Sequence, residues 1–384
     1  MVQPDGPHPG ALKRVTIPVT MTAVADTAAP TARPVKGAPL GWLFDNHFGW
    51  ARYEAAAFPD LPVGQPIVKD STAFDSAVIE IVLRSAAGVE GASTPDSMRF
   101  SVYALDEEVP VDSSFPLHKR WHTSEWWGSL SVAYNAQLGG FAIPMSDGPA
   151  RRIFQAYYAR DSVSNDWLRK VLKGVYLAVD SPAQSLSGPS GWLAHVVFEG
   201  TARSGIRIYF SDSLSLFLPF SPRAAYPSWQ YNRQGATIDN VIAGNDSLPL
   251  WLSPGGTQLR VRFPSLSSYF EGDPHRMTAH QATLHLPFRQ TSHDYVLIMP
   301  PRLTLTTPNG IEPAELSSPL YGFHPEGSEA LFHLPLYFHD SLLKNDGGIL
   351  FINLPGSGAA DPARVWWSDT SQAKPRLEVT YSEN

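Results

Sequence analysis

The chain has 384 residues, 43% of them apolar and 17% charged, with a net charge of -7 and a pI near 5.9. That length exceeds what one hydrophobic core normally serves, so two domains are expected. No stretch approaches the roughly 18 uninterrupted apolar residues of a membrane-spanning helix, and the acidic balance, with lysine and arginine scattered singly or in pairs, argues against a nucleic-acid partner. There is no cysteine, which removes disulfides, thiolate zinc sites and cysteine nucleophiles together.

The opening MVQPDGPHPG lacks a basic region followed by an apolar run, so the expectation is a flexible segment over 1–14 that began after a removed export signal. Residues 41–50, GWLFDNHFGW, then enter the first sheet, with Trp42, Phe44, Phe48 and Trp50 packed and Gly49 allowing a turn. Thirty-five prolines and 29 glycines leave little room for helices of ordinary length. Runs with alternating, β-branched and aromatic character predict strands over 76–83, 97–105, 174–179, 193–198 and 205–210, and again over 258–263, 282–288, 302–307, 348–354 and 375–381. One or two short helices are predicted, chiefly near 164–173 and 339–344, where apolar residues recur at helical spacing.

These pieces recur in order. AVIEIVL, FSVYAL, DWLRKVLKGVYLAV, AHVVF and SGIRIYF of the first half answer to QATLHLPF, PPRLTL, HDSLLKNDGGILFINL, ARVWW and KPRLEVTY of the second. The reading is a duplication: an all-β protein of two tandem antiparallel β-sandwich, jelly-roll-like domains with few short helices. The first would cover 15–215, with an insertion at 111–152, and the second 216–384. The junction falls near 211–225, where a shared strand remains open.

Chemistry is harder to find. GPSGW at 188–192 has the wrong spacing for a hydrolase elbow, and GSGAAD at 356–361 matches a dinucleotide fingerprint only in its first glycines. Of the 12 histidines, His118 with His122 sit in a proline-bounded stretch, and His280 with His285 have opposite parity on a strand, so no metal is assigned. NDGG at 345–348 lacks the later glutamate of a calcium loop. No cofactor is assigned and no catalytic residue is named; the chain is read as a non-enzyme.

The insertion is the best place for a partner. Arg120, Trp121, Trp126 and Trp127 are the residue types enriched at binding hot spots, and Glu125 beside the last two resembles a carboxylate on a sugar platform. A plain reading stands beside this one, in which the insertion closes one end of its own sandwich. Trp229 and Tyr231, in PSWQYNR at 227–233, form a second candidate at the presumed interdomain seam, where gluing the domains is the simpler role.

The ordered set GAPLGWLFDNHFGWARYEAAAFP, FDSAVIEIVL, RFSVYALDEEV, LKGVYLAV with SGIRIYF, HQATLHLPF, PPRLTL and PRLEVTY resembles a Bacteroidota outer-membrane lipoprotein family, domain of unknown function 4270, over nearly the whole chain. Gly41, Asp45, Phe48 and Gly49, then Asp75 and Ser76, then Tyr103 and Leu105 fall on that family's landmarks. The resemblance carries over no catalytic residue. It implies a protein of the outer membrane and cell surface that acts through a protein partner there, with a lipid anchor on the native precursor, since the lipobox cysteine and the acidic linker after it are absent here. The rival readings are a carbohydrate-binding module and, third, a glycoside-active enzyme using Glu125.

Overall fold

The computed structural model describes residues 11–25, 31–61, 74–88, 97–158, 165–180, 190–210, 214–244, 250–253, 257–270, 276–287, 304–306, 314–315, 329–334, 348–353, 363–366 and 374–383. Strands dominate, as the alternating sequence requires. The chain begins with β1 (Lys13–Pro18), β2 (Thr20–Ala25), β3 (Thr31–Ala32), β4 (Gly37–Asp45), β5 (Gly49–Pro59) and β6 (Phe74–Gly88). Next come β7 (Met98–Leu105), β8 (Phe115–Pro116), β9 (Thr123–Val132) and β10 (Gly140–Pro144), then helices α1 (Asp147–Tyr158) and α2 (Asn165–Val171). The first half ends with β11 (Val175–Val179), β12 (Ser190–Val197), β13 (Gly205–Phe210) and β14 (Ser215–Asn232). After α3 (Thr237–Ile242) follow β15 (Leu250–Ser253), β16 (Thr257–Phe263), β17 (Met277–Pro287), β18 (Thr304–Thr306) and β19 (Ala314–Glu315). The last strands are β20 (Glu329–Leu334), β21 (Gly348–Asn353), β22 (Ala363–Trp366) and β23 (Arg376–Glu383). All ten strands expected from the sequence are present within a few residues of their expected bounds, and the first expected helix is α2; the second, at 339–344, lies outside the described residues.

In the first half the ladders run β14-β13-β6-β12-β4-β5, with β11, β7 and β9 continuing beyond β5 and β10 on β6. β14 pairs with β13 through its first residues and with β5 through its last, its register shifting between Phe220 and Ala225, so one strand crosses from sheet to sheet at a sandwich corner. The core is aliphatic and aromatic, with Ile79, Ile81, Val102, Val196 and Ile206 buried and Phe100 set edge-on to Trp192 at 5.5 Å.

The second half repeats this pattern. Ladders β17–β23, β17–β20, β16–β21, β18–β21, β18–β19 and β15–β22 answer in order to β6–β13, β6–β10, β5–β11, β7–β11, β7–β9 and β4–β12. The closing strand differs. Where β14 joins β13 and β5, the second half uses β1 on β23 and β2 on β16, both antiparallel. The start of the chain thus occupies the place β14 fills in the first half, and Ile17, Met21 and Ala23 enter the second core.

This pairing redraws the expected division. Lys13 and Arg14, expected in a flexible segment, are β1 residues, and Arg14 pairs with Glu378. Residues 15–25 belong with the second sandwich rather than the first, and β14, on both sides of the expected boundary at 215, belongs with the first. The reason is physical: alternation marks a strand, while its partner is set by long-range packing that no local pattern records.

The 41–50 stretch is the β4–β5 hairpin. Gly49 turns it at φ +74°, a left-handed conformation that favours glycine. Trp42 packs in the first core, whereas Phe48 at the tip belongs to the second, and α3 meets the tip by Ile238 N–H to His47 O at 2.8 Å. The tip therefore joins the halves, which goes beyond the expected role of packing in the first sheet.

Candidate functional site

Strand β5 reads GWARYEAAAFP, and its one carboxylate, Glu54, is 1% exposed. Burying a charge in a sandwich requires partners, and three strands supply them. Ser228 of β14 stands opposite Glu54 in the ladder. The hydroxyl of Tyr176, on β11, donates to Oε2 at 2.6 Å, and the backbone N–H of Val179 donates to Oε1 at 3.2 Å. Arg52, two residues earlier on the same face of β5, lies 3.2 Å from Oε1. Gln230 bridges the pair, accepting from Arg52 at 2.6 Å and donating to Glu54 at 3.3 Å.

Burial pushes the Glu54 carboxyl above its ordinary 4.5, against the opposing pull of Arg52, Tyr176 and Val179. Burial and the neighbouring Glu54 drive the Tyr176 hydroxyl far above its own range. These groups form the inner wall of an open cleft of about 600 Å³, bounded outward by Tyr103, Arg120, Trp121, Thr123, Ala178 and Asp180. Asp180 is held by Arg99 at 3.7 Å. The Arg120 guanidinium is exposed and makes no ion pair or hydrogen bond among the described residues. Trp126 stands opposite Tyr103 in the β7–β9 ladder, on the same face.

The insertion explains how this wall is built. Residues 113–121 run along β14: Trp229 N–H donates to Leu117 O at 3.0 Å, and Ser228 Oγ donates to Lys119 O at 2.8 Å. Phe115 and Trp121 pack on Tyr226, with ring centroids 5.0 and 6.3 Å away, and Lys119 sits 4.0 Å over the Trp121 ring. Further on, the insertion forms β9 and β10 and leads into the amphipathic α1, which buries Ile153, Phe154 and Tyr157.

The candidate residues separate accordingly. Trp121 and Trp127 are 7% and 3% exposed, so they are core residues and not a free hot-spot surface; Trp126, at 48%, is the exposed one. Tryptophan's large apolar area favours exactly such burial when a core is at hand. Glu125 is no free sugar-platform acid, since it is paired with Arg152 of α1 and receives the Trp127 indole N–H at 3.4 Å. Arg120 and Trp121 belong to the cleft. Trp229 is fully buried against Tyr53 at 5.2 Å in a small cluster with Leu43 and Leu117, while Tyr231 packs against both that cluster and the second core, so of the two it is Tyr231 that lies at the seam.

Sequence reading missed Arg52, Glu54, Tyr176 and Gln230. Their one signal was a lone acid inside ARYEAAAF, an apolar strand that gives a carboxylate no reason to be there unless partners await it. The strand that answers to β5 in the second half, β16, reads TQLRVRF and carries no acidic residue. A further cleft of about 580 Å³, lined by Lys36, Glu199, Asp112 and Arg223, has these four charges paired, Lys36 with Glu199 at 2.9 Å and Arg223 with Asp112. Among the described residues no group of three or more His, Asp or Glu is placed to hold a metal ion, and no helix is long and apolar enough to cross a membrane. His118 has its Nδ1 against Trp229 O at 2.9 Å.

No family model matches the chain, and no curated protein matches it. A crystal structure of a Parabacteroides distasonis protein, inferred to be secreted, is similar over 97% of this chain and 99% of its own, at 9% identity and a TM-score of 0.22. A likeness of that size carries over neither fold nor function.

Proposed function

We propose that this is an exported, non-catalytic binding protein that holds a carbohydrate in the cleft over Glu54 and Tyr176. One observation carries the reading: both oxygens of the cleft's buried acid are already taken by Arg52, Tyr176, Val179 and Gln230. Engagement of both oxygens favours a role in shaping the wall over proton transfer or attack on a sugar carbon. What faces outward is a ring, a hydroxyl, an amide and charges of both signs, from Tyr103, Thr123, Gln230, Arg120 and Asp180. That mixture complements a polyhydroxylated ligand better than an apolar one. Export, a place at the outer membrane and a lipid anchor on the precursor rest on the resemblance to domain of unknown function 4270.

Glycan-array binding with the full chain tests this: binding that is lost in Tyr103→Ala is the expected result, and no retained glycan contradicts it. Release of new reducing ends from a bound polysaccharide, abolished by Glu54→Gln, would overturn the non-catalytic part.

A second reading, docking to a protein partner at the outer membrane, is favoured by the exposure of Trp126. Co-purification of one partner from solubilised outer membranes, lost in Trp126→Ala, is its expected signature.

A further inference from the structure

The charges of the Glu54 cleft are unevenly satisfied. Arg52 is committed to Glu54 and Gln230. Asp180 faces Arg99 at 3.7 Å and the Ser101 hydroxyl at 3.4 Å. Arg120 alone among the charged residues lining the cleft has neither ion pair nor hydrogen bond among the described residues, although Glu107 lies near in sequence. Glu107 is already occupied: it takes the Lys119 ammonium at 2.7 Å and the His122 backbone N–H at 3.0 Å. Lys119, in turn, is spent on Glu107 and on the faces of Phe115 and Trp121. Glu107, just ahead of the insertion, thus neutralises one of two adjacent cations, and the other lines the cleft without a partner among the described residues.

A guanidinium in that position is a planar fork of donors suited to a carboxylate. Beside it stand the Thr123 hydroxyl and the half-buried Tyr103 ring, with Trp126 next to Tyr103 across the ladder. The Tyr103 ring, for a sugar face, and the Arg120 fork, for a carboxylate, therefore line the same cleft.

We infer that the ligand of this cleft is an acidic glycan, a uronate-bearing oligosaccharide whose carboxylate binds Arg120 while a sugar ring lies against Tyr103. This rests on the carbohydrate-binding reading above and narrows it to one chemical class. In the duplicated half, β16 lacks the acid around which this wall is organised.

Calorimetry on the full chain with trigalacturonate and with neutral galactotriose separates the two levels, since these sugars differ at the C6 group and share ring stereochemistry. The expected result is at least about tenfold tighter binding of trigalacturonate, in line with the strength of hydrogen bonds to charged groups. That preference shrinks as salt rises from low to high ionic strength. Arg120→Ala removes the preference for trigalacturonate over the neutral trimer, and Arg120→Lys retains part of it. Equal binding of the two trimers by the unaltered protein, or a preference that survives in Arg120→Ala, overturns the acidic-glycan inference and leaves the cleft reading intact. Binding of neither trimer overturns the inference, and the glycan array then decides the broader reading separately. Arg120 is exposed and unpaired, so both variants fold as the parent does, which thermal melting checks.

Discussion

The Tyr176 hydroxyl donates to Glu54 Oε2 at 2.6 Å, joining β11 to β5 beneath the cleft. Both residues are buried. Tyr176→Phe removes the donor and leaves part of the Glu54 carboxyl unsatisfied, at a cost of about 1–3 kcal/mol. Urea unfolding measures this as a lower midpoint with an unchanged slope.

Glu54 also sets a pH dependence. A carboxyl whose pKa rises on folding binds its proton more tightly in the native state. Its contribution to stability is fully present below 4.5 and is lost as pH rises through the higher folded value. The Glu54→Gln variant lacks this term. The parent therefore loses stability relative to Glu54→Gln as pH rises above 4.5, as read from unfolding midpoints across a pH series. A parent that gains relative stability with rising pH would contradict the burial argument.

The start of the chain closes the second sandwich. Ile17 is fully buried in that core, and Ile17→Ala costs about 2–5 kcal/mol. Hydrogen exchange localises the effect: amides of β16, β17 and β23 lose protection, while those of β6 and β13 in the first half retain theirs.

Two neighbouring tryptophans behave oppositely. Trp127→Ala empties a core position and destabilises by about 3–5 kcal/mol. Trp126→Ala, at a position 48% exposed, changes stability by no more than about 0.5 kcal/mol and shows itself only in ligand or partner binding. Thermal melts of the two variants give the comparison.

Legibility in the sequence follows the range of each interaction. GIRIYF and LRVRF announce themselves by alternation because the side-chain period is local, and the duplication is visible because the order of such pieces repeats. The 211–225 junction admits a shared strand from its sequence; β14 runs through it and pairs with β13 and β5 of the first half, its Pro219, Pro222 and Pro227 fitting a strand that changes sheets at a corner. α1, with its apolar residues at Ala150, Ile153, Phe154 and Tyr157, runs from the end of the 111–152 insertion past its expected bound, where no helix is expected. Residue type marks Arg120 and Trp121, which line the cleft, yet the residues that line it with them come from β5, β7, β11 and β14, strands spread from residue 49 to 232. No spacing rule spans that distance. The tryptophans show the converse limit: type marked Trp121, Trp126 and Trp127 alike, and only packing separated the buried two from the exposed one.

The most direct test of the central claim is a crystal structure of the full chain soaked with trigalacturonate. The account predicts a sugar carboxylate on the Arg120 guanidinium and a pyranose ring against Tyr103, with the Glu54, Arg52 and Tyr176 cluster unchanged beneath. A saturated crystal with an accessible cleft and the sugar bound elsewhere, or bound nowhere, would contradict it.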